Sequence, residues 1–186
     1  PMTPWMGDRL AAAFVDAGFP PGVVTVVHGS AAGAHLVADA RVGAITFTGS
    51  NATGARIHAA VGLGRRVQLE LGGKNPVVVL ADADLDAAAT IVARSSFSLT
   101  GQACTGAGRI IVDRRVHDEL LERVVALAEA YVLGPGDVDG VTMGPLVDPV
   151  AVAAMEAAVA GAVADGARVA CGGSRPDGVA LEHGCF

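Results

Sequence analysis

The sequence predicts an α/β fold with parallel strands, arranged as two successive units that join at Gly72-Gly73. Short β-branched runs alternate with helical patterns up to residue 71, and the order strand, helix, strand, helix, strand is typical of a parallel sheet covered by helices. The same alternation begins again after the glycine pair. With 52% apolar and 17% charged residues, the chain has the composition of a well-buried globular protein.

In the first unit, the residue pattern predicts three strands and two helices. β-Branched and apolar runs favour strands because such side chains pack well on a pleated surface. The strands are predicted over Val23 to Val27, Ala44 to Thr48 and Val67 to Leu71, and the helices from Gly29 to Ala40 and from Gly49-Ser50 to about Ala60. The connections between parallel strands should be right-handed.

In the second unit, strands at 77–80, 110–112 and 168–170 alternate with three helices. Asp84 is the predicted N-cap of the first helix. The apolar face of that helix is predicted to be Leu85, Ala88, Val92 and Leu99. The apolar spacing from Val116 to Leu127 predicts the second helix. Asp148-Pro149 begins the third helix with an N-cap and a proline, and Gly166 ends it.

Charge and hydropathy exclude two classes of partner. The net charge of -6 and the lack of a basic run give no electrostatic reason for nucleic-acid binding. The longest apolar region, Val150 to Ala164, contains Glu156 and is shorter than the roughly 20 residues of a membrane span. Cys104, Cys171 and Cys185 show neither metal-ligand nor C-x-x-C spacing, which favours a reduced, cytoplasmic protein.

Two groups of residues at the ends of predicted strands are candidates for ligand binding. Gly49 and Ser50 lie between a strand and a helix, where N–H groups and a hydroxyl can bind phosphate. On this local pattern alone, ordinary turn geometry is the more common explanation of the glycine. Glu70 ends the third strand, at the edge where open α/β sheets bind ligands. A solvated carboxylate on an alternating strand is the commoner explanation of a single Glu.

Cys104 is the candidate nucleophile. It lies in "FSLTGQACTG" (97–106), among glycines and small polar residues, where backbone N–H groups could stabilise an anion beside the sulfur. An isolated cysteine in a tight loop is more often inert. The chain places no histidine to pair with it, which counts against a cysteine hydrolase that uses no cofactor.

Four motifs in this order resemble the aldehyde dehydrogenase superfamily. They are "FTGSNATG" at 47–54, "LELGGKNP" at 69–76, "DADLD" at 82–86 and "GQACT" at 101–105. The resemblance covers essentially the whole chain. It implies a partial, Rossmann-like cofactor domain over residues 1–71 and the N-terminal part of the catalytic domain over residues 72–186. It also implies NAD or NADP as the cofactor.

The resemblance assigns roles to individual residues. Cys104 matches the nucleophile that attacks an aldehyde to give a thiohemiacetal and, after hydride transfer, a thioacyl-enzyme. Glu70 matches the general base that activates water to release the carboxylic acid. The cofactor-binding residues that it implies are Gly49, Ser50, Gly54, Leu71 and Gly72. A nucleophile, a base and a phosphate-binding helix start are what this oxidation needs.

The resemblance further implies a small-molecule aldehyde as substrate and a homo-oligomer, a dimer or tetramer, of the full-length protein. Pro1 stands where many NAD-using members carry Glu, so the resemblance does not choose between NAD and NADP. Because the chain opens without Met and ends after a Gly-rich turn, it is expected to be an internal piece of such an enzyme. The alternative is a truncated, inactive remnant or a partial nucleotide-binding module.

Overall fold

The computed structural model describes residues 3–176, 178, 181 and 184–186. The chain divides into two compact units, Pro1–Leu71 and Gly72–Phe186. A two-stranded parallel sheet with helices lies in each unit, which confirms the predicted α/β class. The assignment of the first unit to cofactor binding and of the second to catalysis stays a prediction.

In the part that the structure describes, the first unit is built from three α-helices and two strands. These are α1 (Pro4–Asp16), α2 (Ala32–Ala38), β1 (Ala44–Gly49), α3 (Asn51–Val61) and β2 (Arg66–Leu71). The strands β1 and β2 pair in parallel, and α3 is the connection between them. Helix α1 was not among the predicted elements, although a proline at its first position is typical of a helix start.

Helix α3 covers the sheet of the first unit. Ser50 begins the helix, since its side chain accepts a hydrogen bond of 3.3 Å from the backbone N–H of Thr53. The buried face of α3 consists of Gly54, Ile57 and Val61. Their spacing of three and four residues places them on one side of the helix. The apolar stripe thereby fixes the helix, and with it Ser50, against the strands.

Among its described residues, the second unit contains two strands and three α-helices. These are β3 (Asn75–Val79), α4 (Leu85–Phe97), β4 (Ala107–Val112), α5 (His117–Glu129) and α6 (Pro149–Ala164). The core is formed by Val79 of β3, Ala89 of α4 and Leu120 of α5. The predicted N-caps are confirmed, because Asp84 accepts hydrogen bonds at the start of α4 and Asp148 does so at the start of α6.

The sheet of the second unit contains a β-bulge. Asn75 pairs with Ala107, whereas the next residue, Pro76, pairs with Arg109. Gly108 is therefore an extra residue on β4 without a partner on β3. A proline lacks the backbone N–H that a regular ladder requires, and a bulge is one of the few positions where a sheet accepts it.

Three sequence-based predictions of structure are wrong. The segments Val23 to Val27 and Arg168 to Ala170 form no strand in the part of the chain that the structure describes. β-Branched residues favour extended backbone, but a strand exists only where a neighbouring strand receives its hydrogen bonds. Leu99 does not continue the apolar face of α4, because that helix ends at Phe97 and Leu99 has a φ of 52°.

The N-cap at Asp84 gives a test of the local interactions that stabilise α4. Its carboxylate accepts hydrogen bonds from the N–H groups of Asp86 at 3.0 Å and Ala87 at 3.1 Å. We expect Asp84→Ala to lower the free energy of unfolding by about 1 kcal/mol, because both donors lose their acceptor. Urea denaturation measures this, with Asp82→Ala, at an exposed turn position, as the control. Equal losses in the two variants would contradict the capping role.

Acid should weaken the turn that precedes α5. The side chain of Arg115, with its backbone N–H, holds the pKa of Asp113 at about 2, below its usual 3.8. Because the pKa is lowered in the folded state, ionised Asp113 stabilises the fold above about pH 4, and this contribution decreases as the pH falls toward 2. The effect is small, since the pair lies at the surface, with Arg115 exposed and Asp113 half-buried.

We therefore expect Asp113→Asn to lower the urea midpoint at pH 7 by more than it does at pH 3. The matched control is Asp137→Asn, at another exposed turn position, which should show no such difference between the two pH values. A deficit in Asp113→Asn that is the same at both pH values would show that ionisation of Asp113 is not the cause.

Candidate active site

The parallel pairing of β1 and β2 gathers four of the predicted site residues at one edge of the first unit. Thr48 lies opposite Glu70, and Gly49 lies opposite Leu71. Ser50 follows Gly49 directly. Because both strands of a parallel pair end at the same edge, Gly49, Ser50, Glu70 and Leu71 form one group at their carboxyl ends. This is the edge at which open α/β sheets bind ligands.

The start of α3 is organised by hydroxyl groups. Ser50 Oγ donates a hydrogen bond of 3.0 Å to Thr53 Oγ1 and accepts one from the Thr53 N–H. Arg56 donates from Nη2 to the same Thr53 Oγ1 at 3.1 Å. The other N–H groups of the first turn have no acceptor inside the helix, and they give its N-terminus a partial positive charge. With the guanidinium of Arg56, they give this helix start the chemistry of an anion site.

Thr53 and Arg56 were not singled out from the sequence. A signal for them was present, because Ser50, Thr53 and Arg56 recur at intervals of three residues and such residues share one side of a helix.

Gly54 and Leu71 touch each other. Gly54 is buried, and a Cβ atom added to it would lie 2.6 Å from Leu71 Cδ2, which is too close for any larger residue without movement of Leu71. The absence of a side chain at Gly54 therefore lets α3 lie directly against the end of β2. The predicted contact of these two residues with a cofactor stays a prediction.

Glu70 lies on the exposed side of β2, in phase with the alternating burial of that strand. Its Oε1 accepts a hydrogen bond of 3.2 Å from Nε2 of Gln68. A carboxylate that is exposed at the edge of the sheet has further lone pairs with which to accept a hydrogen bond from water. The geometry of the first unit is thus compatible with the predicted role of Glu70 as a base.

Cys104 is exposed and lies in a turn between α4 and β4. The turn is preceded by three successive residues with left-handed backbone: Leu99 at φ 52°, Thr100 at φ 59° and Gly101 at φ 69°. Glycine adopts this conformation freely, but a residue with a Cβ pays about 1 kcal/mol or more. The conformation of the turn must therefore be stabilised by contacts with other parts of the second unit.

Part of this stabilisation comes from the segment 144–147. Thr100 donates from Oγ1 to the carbonyl oxygen of Gly144 at 3.1 Å. Gln102 Nε2 donates to the carbonyl oxygen of Leu99 at 3.3 Å, and Gln102 Oε1 accepts from the N–H of Val147 at 2.9 Å. The Gln102 carboxamide thereby connects the left-handed residues to a distant segment of chain.

Asn75 supports the other side of the turn. At the start of β3, its Nδ2 donates to the carbonyl oxygens of Cys104 at 2.8 Å and Gly106 at 3.0 Å. Neither Asn75 nor Gln102 was predicted to be a site residue, although both lie inside the quoted motifs. Gly72, a predicted cofactor-binding residue, is exposed in the connection that leads to β3.

Further observations concern the other cysteines, metal ligands and membrane spans. Cys171 and Cys185 are half-buried and free. Within the described residues, no cluster of His, Cys, Asp and Glu could hold a metal ion, and no helix is long and apolar enough to cross a membrane. Pro1 lies outside the described residues. Glu70 and Cys104 belong to different units, so their joint action is a proposal.

The chain is similar to known proteins in both sequence and structure. The model of the aldehyde dehydrogenase family matches residues 1–186. The chain is 37% identical over 187 residues to the betaine aldehyde dehydrogenase of Cereibacter sphaeroides, covering 100% of this chain and 38% of that protein. It superposes on a crystal structure of PnpE in complex with nicotinamide adenine dinucleotide with a TM-score of 0.94 and 39% identity, covering 99% of this chain and 38% of the other.

A second solved structure, an NADP-dependent enzyme of E. coli, gives a TM-score of 0.92 and 38% identity, again over 99% of this chain and 38% of the other. The chain therefore spans somewhat more than a third of the length of these relatives. The family match includes both candidate groups, the carboxyl edge of the first unit and the Cys104 turn of the second. The chain belongs to the aldehyde dehydrogenase family.

Proposed function

We propose that this chain is part of an enzyme that oxidises a small aldehyde to a carboxylic acid with NAD or NADP, with Cys104 as nucleophile and Glu70 as general base. The observation that carries the proposal is the exposed Cys104 in a strained turn that hydrogen bonds hold from two sides. Strained backbone that the surrounding structure maintains is characteristic of functional sites. Family membership gives the reaction class.

The reaction uses the two side chains in succession. The Cys104 thiolate attacks the aldehyde carbon, and a C–S bond forms while the carbonyl oxygen becomes an oxyanion. Backbone N–H groups of the turn are the available donors for that oxyanion. NAD or NADP, which the start of α3 would hold, would supply the acceptor for the hydride, and a thioester would then remain on Cys104. Glu70 then takes a proton from water, whose oxygen attacks the thioester carbon and expels the thiolate.

The residues at the start of α3 fit a pyrophosphate-containing cofactor. The N-terminus of α3 brings together backbone N–H groups, the hydroxyl of the N-cap Ser50 and the guanidinium of Arg56. Phosphate is bound by this combination of N–H groups, helix dipole and positive charge. The solved structures that resemble the chain include one in complex with nicotinamide adenine dinucleotide and one of an NADP-dependent enzyme, which supports NAD or NADP without choosing between them.

The proposal includes a cytoplasmic location and a homo-oligomer, a dimer or tetramer, of the complete protein. Its support is the resemblance to the family together with the state of the thiols. All three cysteines are free, as is usual in a reducing compartment.

Replacement of the nucleophile tests the central step. In the complete protein that carries this chain, we expect Cys104→Ala to reduce aldehyde-dependent formation of NADH or NADPH below detection, because no C–S bond can form. Absorbance of the reduced cofactor measures the rate. Cys171→Ala, which removes a half-buried thiol, is the matched control and should retain activity.

Near-normal turnover in Cys104→Ala would refute the assignment of the nucleophile. Acid production by the unchanged protein without added NAD or NADP would instead favour the cysteine hydrolase.

Replacement of the base separates the two halves of the reaction. We expect Glu70→Gln to retain a rapid burst of reduced cofactor, because hydride transfer precedes the hydrolytic step. The later turnover should be about 10²- to 10⁴-fold slower without a general base. Stopped-flow absorbance resolves the burst from the steady state. Glu129→Gln, at the exposed end of α5, is the control for loss of a carboxylate, and an unchanged steady state in Glu70→Gln would exclude the base role.

A further inference from the structure

We propose that Asn75 is a positioning residue for the nucleophile, with its carboxamide fixing the orientation of the peptide group that follows Cys104. The inference rests on the proposed function only in taking Cys104 as the reacting thiol. Asn75 lies 29 residues before Cys104 in the chain, at the first position of β3, so the contact joins the start of the sheet to the turn.

The Asn75 amide uses its full donor capacity on this turn. Nδ2 carries two hydrogens, and it lies 2.8 Å from the carbonyl oxygen of Cys104 and 3.0 Å from that of Gly106. These two carbonyls lie on either side of Thr105. One half-buried side chain therefore holds the backbone immediately after the thiol at two points.

This orientation matters for charge at the sulfur. The Cys104 carbonyl oxygen carries a partial negative charge, and its bond to Asn75 keeps it from turning toward the side chain. Because the peptide bonds of the described chain are trans, the N–H of Thr105 points opposite to that carbonyl. With the carbonyls of Cys104 and Gly106 bonded to Asn75, the N–H of Thr105 is held on the opposite side of the peptide, where it can stabilise negative charge on a thiolate and on an adjacent oxyanion.

The position of Asn75 is itself well determined. The backbone of Asn75 pairs with Ala107, and the bulge at Gly108 begins directly after this pair. A residue that precedes a proline, as Asn75 does, is restricted to extended backbone. On the other side, a Cβ added to Gly73 would lie 3.3 Å from Asn75 Oδ1, so the missing side chain at Gly73 leaves room for the amide.

Gln102 serves as the comparison within the same turn. Its carboxamide also bridges distant parts of the chain, but its partners are Leu99, Pro145 and Val147. It makes no hydrogen bond to the peptide that follows Cys104 among the described residues. Loss of Gln102 therefore loosens the turn in general, whereas loss of Asn75 frees the carbonyls of Cys104 and Gly106.

The first experiment measures thiol reactivity and needs no dehydrogenase activity. Iodoacetamide is added to the folded protein at pH 7, and the alkylation rate of each cysteine is followed by peptide mass spectrometry. In Asn75→Ala, we expect Cys104 to react about three- to tenfold more slowly than in the unchanged protein, the equivalent of one net hydrogen bond. Cys171 and Cys185, which are free and half-buried, are internal references and should keep their rates.

Two further variants separate hydrogen bonding from shape. Asn75→Asp has nearly the same size, but an ionised carboxylate cannot donate to a carbonyl, so Cys104 should react at least as slowly as in Asn75→Ala. Asn75→Ser keeps one donor and should recover part of the rate. An unchanged Cys104 rate in both Asn75→Ala and Asn75→Asp would overturn the proposal, as would an equal change at all three cysteines.

The second experiment measures kinetics in the complete protein. A positioning role predicts that Asn75→Ala lowers kcat about 10- to 100-fold, in the range that displaced reacting groups cost, with KM for NAD or NADP unchanged. A change in KM without a change in kcat would overturn the proposal. It would also be overturned if Gln102→Ala lowered both kcat and the rate of Cys104 alkylation as much as Asn75→Ala does. If Cys104→Ala remained active, the proposed function would fail while the alkylation result for Asn75 would still stand.

Discussion

The left-handed backbone from Leu99 to Gly101 is the constraint on which the candidate nucleophile depends. Leu and Thr lose energy in this conformation, at about 1 kcal/mol or more each, and the hydrogen bonds from Gln102 to the Leu99 carbonyl oxygen offset part of that loss locally. Further compensation comes from carboxamides and a hydroxyl whose partners are remote in sequence. Cys104 is therefore exposed and yet held in one geometry, a combination that a nucleophile requires and a flexible loop does not provide.

The two units fix their candidate residues in different ways. In the first unit, regular structure is sufficient, since the parallel register places Glu70 beside Gly49 and the N-cap of α3 places Ser50. In the second unit, the site lies in irregular backbone, where the ladder and helix bonds have ended. Side-chain amides are suited to that position because one carboxamide can donate and accept at the same time.

Most helices and paired strands could be predicted because their signals are local. Asp84 and Asp148 cap helices a few residues away, and the apolar spacing of α5 lies within the helix. Val23 to Val27 and Arg168 to Ala170 failed because strand formation depends on a partner elsewhere. Asn75 and Gln102 were missed for the same reason, since their partners lie 29 to 45 residues away. Cys104 and Glu70 were candidates from their local patterns, and the resemblance assigned them the roles of nucleophile and base.

Because of the bulge at Gly108, the turn that contains Cys104 depends on the strands next to it. Along β4, Ala107 and Ile110 are both half-buried although three residues apart, so the extra residue changes the phase of the strand between the turn and the core. Transplantation of the decapeptide around Cys104 into another scaffold would carry the thiol without this change of phase. A transplanted segment that keeps the geometry of the turn would have to include both strands as far as the pair of Pro76 and Arg109, because the bulge forms only between the two strands.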